Sequence, residues 1–228
     1  MSAASLFDAA SLLLSLAMKP TEGGEVVTPK LAATVLLVRD GPQGLQVFMV
    51  VRHQKIDFAS GALVFPGGKV DPQDWEGAGG DEDRAARAAA LRETQEECGV
   101  RLPSPDALTF FAHWITPPIL PKRFDTRFYI VEAPADQAAA HDGGEAVDSV
   151  WIEPARALSE AAEGKRTLVL ATRLNLQMLG ESATAAEAIA AAKARHVVTV
   201  LPNAEKTDTG YRLTIPLEAG YGGPHFDV

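Results

Sequence analysis

The stretch Arg92-Glu93-Thr94-Gln95-Glu96-Glu97-Cys98-Gly99-Val100 decides how the rest of this 228-residue chain is read. Residues three and four apart meet on a helix surface, so Glu93 faces Glu96 and Glu97. Like charges placed there cost roughly 0.2–0.5 kcal/mol per pair unless a cation lies between them. A hard divalent cation such as Mg2+ reverses that sign. The run from Arg84 to Cys98 is rich in alanine, which is strong helix composition, and Gly99 stands where a left-handed residue ends a helix. The sequence therefore expects three carboxylates in the last turns of one helix, suited to a metal.

Upstream of that helix, Leu63-Val64-Phe65 is a short apolar run closed by Pro66-Gly67-Gly68, a pair of glycines that lets backbone approach a ligand closely. Earlier still, Ala32 to Val38 and Leu45 to Val51 read as strands joined by the turn sequence Asp40-Gly41-Pro42-Gln43-Gly44. Downstream, Phe110 to Ile115, Thr126 to Val131 and Val147 to Ile152 read as strands, with a proline-rich segment from Thr116 to Pro121 between the first two. Helices are expected over Pro154 to Ala162, Leu168 to Leu179 and Thr184 to Ala194, and strand-like runs over Val197 to Leu201 and Tyr211 to Ile215. Residues 1–28 read as an appendage, an amphipathic helix from Ser5 to Met18 followed by a linker of the composition Lys19-Pro20-Thr21-Glu22-Gly23-Gly24. Residues 29–228 then form one α/β domain with a polar, glycine-rich insert at 71–83.

A formal charge of -9 argues against long nucleic acid as a partner, while leaving room for a local basic pocket that holds phosphate. Cys98 is the single cysteine, so no intrachain disulfide is possible. The apolar stretch Leu6 to Met18 is interrupted by Asp8 and is too short to span a bilayer. A cytoplasmic protein with no membrane partner is expected. The five histidines, at 53, 113, 141, 196 and 225, show no metal-ligand spacing.

These residues resemble the signature of the Nudix hydrolase family: a glycine, a spaced acidic residue, then Arg-Glu-(apolar)-x-Glu-Glu-x-Gly-(apolar). Arg92, Glu93, Glu96, Glu97, Gly99 and Val100 match its second half, with Thr94 at a position usually aliphatic. The first half departs, because the chain from Gly68 to Arg92 is about ten residues longer than the standard spacing. Counted back from Arg92, the early acidic position falls on Arg84, with Asp83 beside it.

The resemblance implies an α/β/α sandwich with a mixed β-sheet and additional C-terminal helices, and a Mg2+-dependent pyrophosphohydrolase, with Mn2+ as substitute ion. It assigns Glu93, Glu96 and Glu97, with the backbone of Gly68, to the metal. Gly67 approaches the phosphate, and Arg92 pairs with a carboxylate to fix the helix. Either Glu93 or the loop residue Glu145 serves as general base.

A second resemblance concerns the substrate. The segment from Arg52 through Gly61 to Phe65-Pro66-Gly67-Gly68 is similar to a motif of coenzyme A diphosphatases, with His53 for the usual Ser and Asp57 where a second Arg is expected. The organisation from Ala32 to Tyr221 resembles the acyl-CoA diphosphatase-like branch. Arg123 and Arg127, with Lys122, gather positive charge for the phosphates of a nucleotide, and Phe124 offers a face for stacking a base. CoA or acyl-CoA is the first substrate expectation, and ADP-ribose or NADH the second. Sanitation of nucleoside triphosphates is disfavoured by the long insert and tail. A catalytically silent, nucleotide-binding regulatory domain is the rival of another class. A homodimer through the N-terminal helix is a further expectation.

Overall fold

The computed structural model describes residues 26–53, 59, 61–141, 143–144 and 146–228. The expected N-terminal helix, Asp57 and Glu145 lie outside the described residues. The domain is organised around β1 (Lys30–Gly41), whose apolar run is buried on both faces. Val35 and Leu37 point to one side of the sheet, and Leu36 and Val38 to the other. A strand covered on both faces reads as a continuous hydrophobic run, which is why alternation is weak there.

Strand β2 (Gly44–Arg52) returns from the hairpin turn and pairs antiparallel with the end of β1, at Val38 to Gly41. After β3 (Leu63–Val64), β4 (Gly67–Lys69) takes the start of the same β1 edge, pairing with Ala32 to Thr34. On the opposite edge β6 (Phe124–Glu132) runs parallel to β1 over its whole length, and β5 (Thr109–Ile115) pairs antiparallel with β6. Strand β7 (Ala146–Ile152) pairs with β2, and the short β8 (Thr199–Val200) runs parallel to β5. The sheet is mixed, as expected. Because β2 and β4 share one edge of β1, the sheet forks there, and the fork holds the glycine pair.

Helix α1 (Glu82–Cys98) covers one face through Ala86, Ala89 and Ala90, which pack with Val35, Leu37 and Tyr129. Helices α2 (Pro154–Ala162), α3 (Leu170–Leu179) and α4 (Ala185–Ala194) cover the other, packing on Leu36, Met49 and Ile130. Three layers result, the expected α/β/α sandwich. Beyond it, β9 (Asn203–Lys206), β10 (Tyr211–Thr214) and β11 (His225–Asp227) form a separate antiparallel sheet. Only β10 was legible, because Asn-Ala-Glu-Lys and His-Phe-Asp carry no apolar alternation.

Candidate active site

Helix α1 is fixed at both ends by its own sequence. The Asp81 carboxylate accepts from the amides of Asp83 (2.8 Å) and Arg84 (3.2 Å), and Gly99 closes the helix at φ 69°, where only glycine is unstrained. Between these ends Thr94 is fully buried and returns its hydroxyl to the Ala90 carbonyl at 2.7 Å. That bond satisfies a polar group at a position where an aliphatic side chain is usual.

Arg92 organises the acidic run. Its Nε and Nη2 donate to the two carboxylate oxygens of Asp74 at 3.1 and 2.8 Å, and Nη2 also donates to the Lys69 carbonyl at 3.0 Å. Nη1 reaches Glu93 Oε1 at 2.8 Å and Glu96 Oε2 at 2.9 Å. The Asp74 bond, first of all, raises the guanidinium above its ordinary pKa; burial works against it, and Glu93 and Glu96 add to the rise. A bidentate fork of this kind fixes direction as well as charge.

Asp74 was missed in the sequence and is the largest correction to it. At the start of the insert, residues Pro72–Trp75 form a 3-10 turn that buries Asp74 beneath Arg92, with the Asp71 amide donating to Asp74 Oδ2 at 2.8 Å. The acidic partner therefore comes before the extra residues. Counting forward from Gly68, instead of back from Arg92, would have reached it. Arg84 is instead mostly exposed, paired with Asp81 at 3.9 Å. Asp83 accepts from Arg87 at 2.6 Å and from the Tyr129 hydroxyl at 2.9 Å. Burial pushes the Asp83 carboxyl up, but those two hydrogen bonds outweigh it and hold its pKa below the usual value.

The two glycines do different work. Gly67 stands opposite Thr34 at φ 153°, and a Cβ there would fall 2.2 Å from the Ala33 carbonyl oxygen. A Cβ on Gly68 would fall 2.2 Å from Glu93 Oε1, so its missing side chain is the space that the Glu93 carboxylate uses. The Gly67 amide donates to Glu97 Oε2 at 2.9 Å.

The three carboxylates of the expected metal set stand in different surroundings. Glu97 is buried and holds the glycine strand, whereas Glu93 and Glu96 open onto a cleft of about 350 Å³. Among the described residues no three His, Cys, Asp or Glu side chains stand together as a metal-holding group. The residues nevertheless fit a divalent cation: Glu93 and Glu96 offer hard oxygen donors to the cleft, and the absence of a side chain on Gly68 is what lets the Glu93 carboxylate stand there.

Arg52, Lys69 and Lys122 line the same cleft and bring positive charge to it. Two expected substrate contacts fall elsewhere. Arg123 is buried and donates to the backbone carbonyls of Thr116 (2.9 Å) and Val27 (2.8 Å), so it ties the chain entering β1 to the loop before β6. Arg127 donates to Glu82 at 2.8 Å and lies 3.6 Å from Asp83, at the start of α1. Alternation along β6 explains Arg127, whose neighbours Thr126 and Phe128 line the clefts, and Arg123 is held by backbone carbonyls before the strand begins; of the three neighbouring cations, only Lys122 lines the cleft. His113 also has a structural partner, Asp125, 2.6 Å from its Nε2; that hydrogen bond holds the Asp125 carboxyl below its usual pKa.

A second cleft of about 200 Å³ adjoins the first and is lined by Phe65, Trp114, Leu120, Phe128 and Leu213 among others. Thr34, Arg52, Gly67, Phe124 and Thr126 line both, so the two are continuous. Nothing in the sequence announced the apolar half.

Comparison with known proteins identifies the family. A family model described as NUDIX domain matches residues 28–171. A Caenorhabditis elegans protein named as a nudix hydrolase is 31% identical over 157 residues, which are 54% of this chain and 52% of that protein. The chain thus spans about half the length of that curated relative. The crystal structure of a NUDIX hydrolase from Alicyclobacillus acidocaldarius superposes with a TM-score of 0.66 at 26% identity, covering 73% of this chain and 97% of the other. With a family match over more than half of its length and the acidic helix in register, the chain belongs to the Nudix hydrolase family, whose members act on phosphoanhydride bonds and generally use divalent metal ions.

Proposed function

We propose that this protein is a Mg2+-dependent pyrophosphohydrolase that cleaves the diphosphate joining a nucleoside to another group. CoA or acyl-CoA comes first as substrate, ADP-ribose or NADH second, and Mn2+ substitutes for Mg2+. The observation that carries the reading is the continuity of the two clefts, one acidic with basic residues at its edge, the other apolar. A diphosphate fits the first and an apolar substituent the second. Phe124, at the junction, offers a face on which an adenine can stack, which favours a nucleotide under either substrate.

Glu93, Glu96 and Glu97, with the backbone of Gly68, would hold the cation, and the missing Gly68 side chain leaves the Glu93 carboxylate its place. Such an ion supplies positive charge to the nonbridging oxygens and lowers the pKa of a bound water. Arg92 restrains both carboxylates through one guanidinium and is itself oriented by Asp74, so the donors are set before substrate arrives. Arg52 and Lys122, which line the acidic cleft, receive phosphate charge. The proton from the attacking water goes to Glu93 or to Glu145. Ala146 pairs with Arg52, which brings the chain just after Glu145 to the cleft edge.

The silent regulatory alternative is weakened by the presence of all three glutamates assigned to the metal, Glu93, Glu96 and Glu97. A cytoplasmic location and a homodimer joined through Leu6 to Met18 belong to the same proposal and rest on the sequence; among the described residues no helix is long and apolar enough to cross a membrane. Purified protein with Mg2+ and a panel of CoA esters, NADH, ADP-ribose and nucleoside triphosphates, with products identified by mass, tests the reading. Release of 3',5'-ADP with an acyl phosphopantetheine supports the first substrate, release of AMP the second. No cleavage of any diphosphate rules the enzyme reading out.

A further inference from the structure

One wall of the apolar cleft does not come from the segment that the family model matches. Residues 28–171 supply Phe65, Trp114, Leu120 and Phe128, but Pro202 and Leu213 lie well beyond them in the chain. Leu213 is the third residue of β10 and is 4% exposed, so this wall is packed and not a loose tail. Strands β9 and β11 flank it on both sides.

A buried relay ties the same segment to the sheet. Trp114 Nε1 donates to the Tyr221 hydroxyl at 3.0 Å, and that hydroxyl donates to Asn175 Oδ1 at 2.7 Å. Asn175 is fully buried in α3, and the Trp114 and Tyr221 rings stand 5.4 Å apart. Burial raises the Tyr221 phenol to a pKa of about 12, so it stays a donor at neutral pH. Trp114 is thus oriented as a wall of the cleft by a residue of the C-terminal segment.

We propose that residues 199–228 form a selectivity wall, with Leu213 as its determining residue, that measures an apolar substituent carried on the phosphate-bearing substrate. This rests on the two-cleft reading given above. The occupant is fixed by continuity: Thr34, Gly67 and Thr126 line both clefts, so a group entering the apolar half is one tethered to a phosphate in the acidic half. Threonine hydroxyls supply most of the polar side chains of the lining, and the single charged side chain, Arg52, lies at the junction. Such a lining rewards methylene groups, at about fourfold in affinity for each one buried. Tyr221 is a positioning residue that acts through Trp114.

Calorimetric titration of n-alkyl phosphates from ethyl to decyl into the full chain, with Mg2+ present, tests the proposal without requiring turnover. The wild-type chain is expected to gain about fourfold per added methylene until the cleft is full. Leu213→Trp should end that gain at a shorter chain, and Leu213→Ala at a longer one, with ethyl phosphate unchanged in both. Should Leu213→Trp fail to fold, the shift to longer chains in Leu213→Ala decides alone. Affinity independent of chain length in the wild type, or an equal change at every length in both variants, overturns the wall. If the chain cleaves no diphosphate while the length series behaves as stated, the catalytic reading fails and the wall stands.

Discussion

The acidic and apolar clefts share five lining residues yet differ in how their parts are supplied. The acidic cleft is built mainly from two short runs, Gly67 to Asp71 and Arg92 to Glu96, joined by one guanidinium. The apolar cleft draws on β1 to β3, on the loop and strands around Trp114, on the start of α3 and on the C-terminal sheet. The charged groups are therefore concentrated where the chain is local, and the apolar lining is spread over distant segments. Charge and glycine placement must be accurate to fractions of an ångström at the first site. An apolar wall needs only volume and shape.

Substitutions that strike one cleft and spare the other sharpen this contrast. The largest effect is expected for Glu96→Gln, which removes a charge open to solvent: turnover should fall by about 100-fold or more, with the melting temperature almost unchanged. Steady-state rates beside a thermal melt read both, and equal turnover would detach Glu96 from the chemistry. Asp74→Ala should cost about 3 kcal/mol in a denaturant titration, because it leaves the largely buried fork of Arg92 without its bidentate partner. A loss below about 1 kcal/mol would mean that Glu93 and Glu96 alone hold Arg92.

Gly68→Ala separates catalysis from stability. Its methyl would meet the far end of the flexible Glu93 side chain, which can move, so the fold should survive while turnover drops about 10- to 100-fold. An equal loss of stability would show that the strand, not the carboxylate, gives way. On the apolar side, Tyr221→Phe should destabilise by about 1–2 kcal/mol by stranding Trp114 Nε1–H and Asn175. Its effect on short-chain substrates should be small and on long-chain ones larger, a split that KM values against chain length will display.

The smallest effect concerns acid. Asp83 has a folded pKa below its ordinary value of 3.8, so the unfolded chain takes up the proton first as pH falls. The stability that Asp83 contributes is present above about pH 4 and is lost as pH drops through the folded pKa. Asp83→Asn should flatten that acid limb, seen as melting temperature against pH, and leave the neutral range unaltered in slope. A slope unchanged in acid would assign the limb to another carboxylate such as Asp125.

The same contrast explains what could be read beforehand. Glu93, Glu96 and Gly99 sit in one helix, whose periodicity and cap are local properties, so their relation needed no tertiary knowledge. Strands β1, β2, β5, β6 and β7 announced themselves by apolar runs, because each buries a face of one sheet. Asp74 was hidden by an insert whose length obscured the register. Arg123 and Arg127 were grouped by charge alone, whereas their partners, two backbone carbonyls for Arg123 and Glu82 for Arg127, are set by tertiary packing. Leu213 reaches the apolar cleft, and Tyr221 reaches Trp114, only through a C-terminal segment whose strands β9 and β11 have no apolar pattern. Tertiary packing alone brings them there.

If Glu93 and Glu96, restrained by Arg92, hold the divalent ion, their loss must abolish its binding. Calorimetric titration of Mg2+ into the wild-type chain and into the Glu93→Gln, Glu96→Gln double variant tests it most directly, each protein first shown to be folded by its thermal melt. A binding heat in the wild type that vanishes in the double variant is the predicted result. Equal binding in both, or none in the wild type, would contradict it.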